Sequence, residues 1–419
     1  MGKQVIPPAF SPSKRSFLNR LQSQLPNSWL SALATSFLFL IVVLVAIFFS
    51  QKNNLYSFLH QTNPPLKKTQ SISHNSFKKE IIGFLPSWMV AKKIKVDTKN
   101  LSQIIYFGLA VNSDGSLVKF DEKGAAVAEW TYFNSPEFSD LQKEASKSGT
   151  KVLLSIKNFD NKNIDNLVSN PNSTNRFITQ LNELIKTYKL DGINIDFEYL
   201  TDSNYPTFKY FNKFFTTLKN SLKKDNSNLI ISADISGNAV LSDKAYDMVK
   251  IGDVIDQIIL MAYDYKTANS TISGPIAPLY SSQGEDSVDK SVNSLIGRVP
   301  LEKVVLGIPF YGYEWQTTSY SYKASTIENT GALATIDRTS KLLGNRDDLK
   351  LYFDDKTASP WLSYTQSGAI KQIYYEDEKS IAKKLEYVNQ KNLAGVAIWA
   401  LGYEGSSDKL WQAISKQVK

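Results

Sequence analysis

Asp191-Gly192-Ile193-Asn194-Ile195-Asp196-Phe197-Glu198 is the stretch that decides the fold. Side chains alternate along a strand, so Asn194, Asp196 and Glu198 share one face while Ile193, Ile195 and Phe197 pack on the other. On an isolated strand that polar face would mark a solvated surface. The surroundings point elsewhere, because this is the fourth of eight short apolar runs, at 81–85, 104–111, 152–156, 192–197, 229–233, 255–262, 304–308 and 395–399. Eight such runs separated by amphipathic segments are what an α/β chain needs to close a (β/α)8 TIM barrel. A parallel barrel strand has no solvated face, so the amide and the two carboxylates are expected to point inward, near the C-terminal rim where barrel active sites sit.

The segments between the runs carry helical signals. Ser135-Pro136-Glu137 is a helix start with Pro in the first turn, and Gly149 is its stop. Phe177, Leu181, Leu184 and Ile185, then Phe208, Phe211, Phe215, Leu218 and Leu222, repeat at helical spacing on either side of the fourth run. Strands alternating with helices in this way mean parallel strands with helical crossovers. The rhythm breaks between the seventh and eighth runs, where residues 314–375 carry apolar runs of their own and predict a small α+β insertion. A helix over 379–390 then leads into the last strand.

The chain of 419 residues has no cysteine, and both histidines, His60 and His74, precede the first run. The barrel therefore cannot hold a Cys nucleophile, a disulfide, an iron–sulfur cluster, a Ser-His-Asp triad or a His-liganded zinc. Catalysis there must run on carboxylates, Tyr, Lys, Ser or Thr, and no cofactor or metal is expected. Of the 48 Lys and Arg, seven fall in residues 1–77, which contain no Asp or Glu, and the remaining 41 balance 40 acidic residues. Seven of the eight net positive charges thus belong to the N-terminal segment, and no nucleic-acid partner is expected.

Residues 29–49, WLSALATSFLFLIVVLVAIFF, run for 21 residues without a charge. At ~1.5 Å per residue a helix of that length spans about 30 Å, the thickness of a bilayer core. The run is longer than the ~7–15 apolar residues of a signal peptide and lacks a small-x-small cleavage pair at its end, so it reads as an uncleaved transmembrane anchor. The basic residues cluster before it, which places the tail, 1–28, in the cytoplasm and the barrel outside the cell membrane. Residues 50–77 are polar, carry Pro64-Pro65 and read as a flexible linker to a catalytic unit over 78–419.

The fourth-run string resembles the DGxDxDxE signature of glycoside hydrolase family 18, the chitinase-like family, and the resemblance extends over 81–402. Met261-Ala262-Tyr263-Asp264 ends the sixth run, and Gly274-Pro275-Ile276-Ala277-Pro278-Leu279 follows it. Gly307-Ile308-Pro309-Phe310-Tyr311-Gly312 lies on the seventh and Ile398-Trp399 on the eighth. Each is similar to a family motif, and they occur in the family's order. Two departures stand out: Asn194 occupies the place of the first signature Asp, and Ser155-Ile156-Lys157-Asn158 departs from the third-strand SxGG pattern. An Asn at that place resembles a subset of bacterial cell-wall and spore-cortex hydrolases.

The resemblance implies retaining hydrolysis of a β-linked N-acetylglucosaminide by substrate assistance. In that scheme Glu198 protonates the leaving oxygen and later activates water. Asp196 orients the acetamido N–H and stabilises the oxazolinium-like intermediate, while Tyr263 holds the acetamido carbonyl. Asn194 and Asp264 are further candidate substrate-binding residues; Asn194 can donate a hydrogen bond to Asp196, and the equal alternative for Asp264 is a structural carboxylate hydrogen-bonded to Asp196 or Tyr263. Trp399 forms the floor beneath the sugar, and Met261 and Tyr311 are further substrate contacts. Burial and the nearby Asp196 should raise the Glu198 pKa. Trp88, Trp315 and Trp361 are read as core. The protein so expected is a membrane-anchored, extracytoplasmic glycosidase whose partner is an N-acetylglucosamine-containing polysaccharide, either peptidoglycan or a chitin-like glycan. The alternative is a non-catalytic glycan-binding protein on the same barrel.

Overall fold

The computed structural model describes residues 79–199, 207–242, 246–281 and 284–418. The tail 1–28, the anchor 29–49 and the linker 50–77 lie outside the described residues, among which no helix is long and apolar enough to cross a membrane.

Seven strands come first: β1 (Glu80–Pro86), β2 (Gln103–Ala110), β3 (Lys151–Asn158), β4 (Gly192–Phe197), β5 (Ile230–Ser236), β6 (Gln257–Met261) and β7 (Val304–Pro309). Five more follow: β8 (Tyr311–Thr317), β9 (Ala332–Thr335), β10 (Lys350–Asp354), β11 (Ser359–Gln366) and β12 (Ala369–Tyr374), before β13 (Gly395–Trp399). The barrel closes in the order β1-β13-β7-β6-β5-β4-β3-β2, every pair parallel, and all eight apolar runs are its strands. Strands β8 to β12 make a separate antiparallel sheet in the order β10-β11-β12-β8-β9. This insertion begins at Tyr311 rather than at 314, because the single residue Phe310 turns the chain out of the barrel. Its N–H is held by the Trp399 carbonyl at 2.6 Å, and no polar residue marks the break in the sequence.

Local chemistry explains the helices that wrap the barrel. Ser135 Oγ accepts from the Phe138 N–H at 3.3 Å and starts the helix Pro136–Ser148. Gly149, at φ 76°, ends it in the left-handed conformation that glycine adopts without a steric penalty. The helices Pro171–Tyr188 and Thr207–Leu222 bury Phe177, Leu181, Phe211, Phe214 and Leu218 in one core with Ile193, Ile195 and Phe197 of β4. Each such side chain contributes about 1.5–3 kcal/mol. The Phe197 ring lies 5.7 Å from Phe214 and 6.3 Å from Phe177, so the outward face of β4 is packed and its polar face must turn inward.

Inside the barrel, Ile82, Phe84, Ile105, Phe107, Leu153, Ile230, Ile259, Val305 and Ala397 form a second apolar cluster. The polar exceptions lie on adjacent strands. Ser155, Asn194 and Ser232 are fully buried and stand opposite one another across β3, β4 and β5.

Candidate active site

One pleat toward the C-terminal ends of the strands, the interior opens into a cavity of about 400 Å³. Phe84 of β1, Phe107 of β2, Lys157 of β3, Asp196 of β4, Asp234 of β5, Met261 of β6 and Trp399 of β13 all reach it, so nearly every barrel strand contributes one side chain. Glu198 just beyond β4, Tyr263 and Asp264 just beyond β6, and Tyr311 of β8 complete the polar wall. Two larger clefts, of about 790 and 730 Å³, contain none of these carboxylates.

The structure thus brings Asp196, Glu198, Met261, Tyr263, Asp264, Tyr311 and Trp399 to one cavity. Asn194 is placed differently, wholly buried beneath it. Its amide donates to Ser232 Oγ at 3.1 Å and to Asp234 Oδ1 at 2.7 Å, instead of to Asp196 as expected. The reason is the β4–β5 register, which sets Asn194 opposite Ser232 and brings the next inward residue of β5, Asp234, within reach.

Charge is concentrated where water is scarce. Burial raises the Asp196 pKa well above the ordinary carboxylate range, Asp234 and Glu198 push it further, and Lys157 opposes them. Burial also raises Asp234, against the pull of the Asn194 hydrogen bond and with the push of Glu198. Glu198 stands exposed at the mouth, yet the desolvating cleft raises its pKa, and the second cause is Asp264 rather than the expected Asp196. A raised carboxyl keeps its proton toward neutral pH, as a general acid requires.

Tyr263 is raised by burial and then by Asp234, Asp264, Asp196 and Glu198, so its phenol stays neutral and able to donate. Its ring passes close over β7. A Cβ at Gly307 would stand 2.8 Å from Tyr263 Cε1 and 2.8 Å from the Leu260 carbonyl, a separation only glycine avoids. Asp264 adopts φ 58°, a left-handed conformation that Asp tolerates better than most residues. Its partner is Tyr311, whose hydroxyl donates to Oδ1 at 2.7 Å, and not Asp196 or Tyr263. Burial raises Asp264, while hydrogen bonds from Tyr311 and Tyr313 pull it down.

Trp399 is held edge-on by Phe107 at 4.6 Å and tilted against Phe84 at 5.6 Å, which fixes the indole in the cavity wall. Trp315 and Trp361 are buried, as expected of core residues. Trp88 is not: it is 39% exposed, lines the cavity and packs edge-on to Phe107 and Trp399. It stands in the first turn of the helix Ser87–Ala91, immediately past β1, and so reaches the rim.

Sequence reasoning missed Asp234 and Lys157. Ser232, Asp234 and Ser236 alternate with the same period as Asn194, Asp196 and Glu198, a signal present just past the fifth run. Lys157 stands in the departed third-strand pattern, with Nζ 3.2 Å from Glu129 and 5.2 Å over the Phe107 ring. Among the described residues no group of His, Cys, Asp or Glu is arranged to hold a metal ion.

The family model described as glycosyl hydrolases family 18 matches residues 80–404. Over 268 residues the chain is 29% identical to the uncharacterized glycosylase YvbX of Bacillus subtilis, covering 63% of this chain and 72% of that protein. It is 26% identical over 294 residues to the probable chitinase 2 of Drosophila melanogaster, covering 63% and 61%. It is 22% identical over 294 residues to the cortical fragment-lytic enzyme of Bacillus subtilis, covering 68% and 64%. The chain therefore spans less than two thirds of the length of the last two.

Solved structures share the fold. The Group IV chitinase of Ostrinia furnacalis in complex with allosamidin superposes with a TM-score of 0.70 at 18% identity, covering 81% of this chain and 98% of that one. The chitinase of Cycas revoluta in complex with (GlcNAc)3 gives 0.69 at 19% identity, covering 81% and 100%. A barrel whose inward strand ends carry the carboxylates, matched by the family model from β1 to beyond β13, makes this chain a glycoside hydrolase that belongs to the glycosyl hydrolases family 18.

Proposed function

We propose that the chain is a membrane-anchored glycosidase that cleaves β-linked N-acetylglucosaminides of an extracytoplasmic glycan, with retention, using the substrate's own acetamido group as nucleophile. The observation that carries this reading is the convergence of Glu198, Asp196 and Tyr263 on one cavity that Trp399 also lines. A sugar lying on the indole presents its glycosidic oxygen to Glu198 at the mouth and its acetamido group to Asp196 and Tyr263 deeper in. Glu198 gives its proton to the leaving oxygen as the acetamido oxygen closes on the anomeric carbon, and the buried anion opposes the positive charge that develops. Glu198 then takes a proton from the attacking water. No protein nucleophile is required, and no metal or cofactor enters the scheme.

Two observations support the substrate class. Relatives of this chain are named as chitinases and as a cortical fragment-lytic enzyme, and the Cycas revoluta structure holds (GlcNAc)3. The apolar segment 29–49 favours a glycan close to the outer face of a membrane, peptidoglycan before chitin.

The test is hydrolysis of N-acetylglucosamine oligomers and purified peptidoglycan by the full chain in detergent, beside Glu198→Gln, with products identified by mass. The expected loss in kcat is about 10²–10⁴-fold. A wild type that binds either polymer tightly but cleaves neither would put the non-catalytic glycan-binding alternative in its place.

A further inference from the structure

Resting on the glycosidase reading above, we propose that Asp234 is the proton store of Asp196. The two carboxylates hold a single proton between them, on Asp196 in the free enzyme and on Asp234 while positive charge is present on the substrate. Asp234 is a positioning residue in this scheme, acting on the substrate through Asp196.

The geometry begins with register. Asn194 faces Ser232 and Ile195 faces Ala233 across β4 and β5, and continuing the ladder by one residue sets Asp196 beside Asp234. Paired strands lie about 4.8 Å apart, so the two inward side chains are immediate neighbours. Each is 3% exposed, and both line the cavity. Two carboxylates in such a site cannot both ionise, and they titrate as a pair that keeps one proton over a wide pH range.

Hydrogen bonding decides where that proton rests. The Asn194 amide cannot ionise, and its donation to Asp234 Oδ1 at 2.7 Å favours the charge on Asp234. Asp196 Oδ1 is buried without a hydrogen-bond partner among the described residues, which leaves Asp196 with a polar atom for the substrate to engage. The other groups facing the pair are Lys157 from β3, Glu198 beyond β4, and Tyr263 and Asp264 beyond β6. Tyr246 also lies near, but its hydroxyl donates to the Phe197 carbonyl at 2.5 Å. Lys157 is engaged by Glu129 at 3.2 Å, and its pull on Asp196 ranks behind burial and the pushes of Asp234 and Glu198.

The transfer itself is simple. As the acetamido group becomes cationic, the O–H bond on Asp196 breaks and one forms on Asp234, the charge of the pair remaining −1 throughout. The anion thus appears on the residue nearer the substrate only when it is needed, a charge rearrangement worth most in a dry site. The same arrangement accounts for the amide at position 194, since a carboxyl there as well would bury a third acid directly beneath the pair.

The experiment uses the full chain in detergent and a nitrophenyl β-glycoside of the N-acetylglucosamine dimer, with wild type, Asp234→Asn, Asp234→Ala and the exchange Asn194→Asp with Asp234→Asn. Infrared difference spectra between wild type and Asp234→Asn read the carbonyl stretch of a protonated carboxyl at neutral pH. The expected result is loss of that band in Asp234→Asn and a fall in kcat of about 10²-fold with KM little changed. The pH profile changes shape because one ionisation of the pair has gone. The exchange variant, which moves the second carboxyl from β5 to β4, is expected to recover the band and most of the lost kcat. Wild-type kcat and pH profile in Asp234→Asn, or a band that survives it, overturns the proposal. So does an exchange variant that folds yet recovers neither readout. If wild type fails to cleave the glycoside, the glycosidase reading falls, and the infrared band alone then decides whether the pair shares a proton.

Discussion

The Tyr311 hydroxyl donates to Asp264 Oδ1 at 2.7 Å, which ties the first strand of the inserted sheet to the loop that ends β6. The bond matters for the acid at the mouth, because the charge of Asp264 is the second cause of the raised Glu198 pKa.

Removing the donor therefore has a calculable sign. In Tyr311→Phe, Asp264 loses a hydrogen bond that pulled its pKa down, so it carries less negative charge at a given pH. Glu198 is then raised less, and the alkaline limb of kcat/KM moves to lower pH. A pH–rate profile with an unmoved alkaline limb refutes the linkage.

Gly307→Ala tests the support of Tyr263. The new Cβ would lie 2.8 Å from both the ring and the Leu260 carbonyl, so the ring must shift or the strand must move. Crowding of this kind is expected to cost about 1–3 kcal/mol of stability, and a displacement near 1 Å can lower kcat about 10²-fold. Thermal melts and steady-state kinetics check both, and wild-type values in each would show that Tyr263 does not depend on the glycine.

Asp196→Asn should separate stability from activity. Because its pKa is raised on folding, Asp196 is fully compatible with the fold below the unfolded Asp range and becomes unfavourable as pH rises through its folded value. The Asn variant lacks that loss. Its Tm is expected to exceed that of wild type by about 2 °C or more near pH 8, and the gain should vanish near pH 4. Activity falls in the same variant. Equal Tm differences at both pH values would contradict the buried-acid account.

Beyond the site, Lys384 Nζ lies 2.8 Å from both oxygens of Glu376, and the side chains are 0% and 1% exposed. Glu376 follows β12 and Lys384 lies in the helix Glu378–Gln390, so the pair joins the end of the inserted sheet to the helix that precedes β13. Burial raises the Glu376 pKa, against the pull of Lys384 and Ser380. Lys384→Met leaves a buried acid without its cation and is expected to cost about 3–5 kcal/mol, whereas Lys384→Met with Glu376→Leu should cost much less. Denaturant unfolding of the two variants measures the difference, and equal losses would show that the pair acts as packing alone.

Position along the chain explains which parts of the site could be read in advance. Asp196 and Glu198 share a strand, and Met261, Tyr263 and Asp264 share a strand end, so residues within one element announce each other by spacing. Trp88 reads as core in the sequence because an indole beside an apolar run looks the same whether it packs inward or stands at the rim. Spacing pairs Asn194 with Asp196, its neighbour on one strand face, but the amide reaches across the sheet to Asp234. Asp264 likewise found its partner in Tyr311, on a strand that the insertion brings back over the barrel.

Taken alone, the amino-acid sequence determined the eight strands, their parallel arrangement, the inward face of β4 and the reliance on carboxylate chemistry, because periodicity and the absence of residue types are local properties of a chain. Tertiary structure decided the partners. Asn194 and Asp234 lie 40 positions apart and Asp264 and Tyr311 lie 47 apart. Only barrel closure, which sets the register between neighbouring strands, brings such residues within hydrogen-bonding distance and excludes the water that would otherwise keep their charges independent.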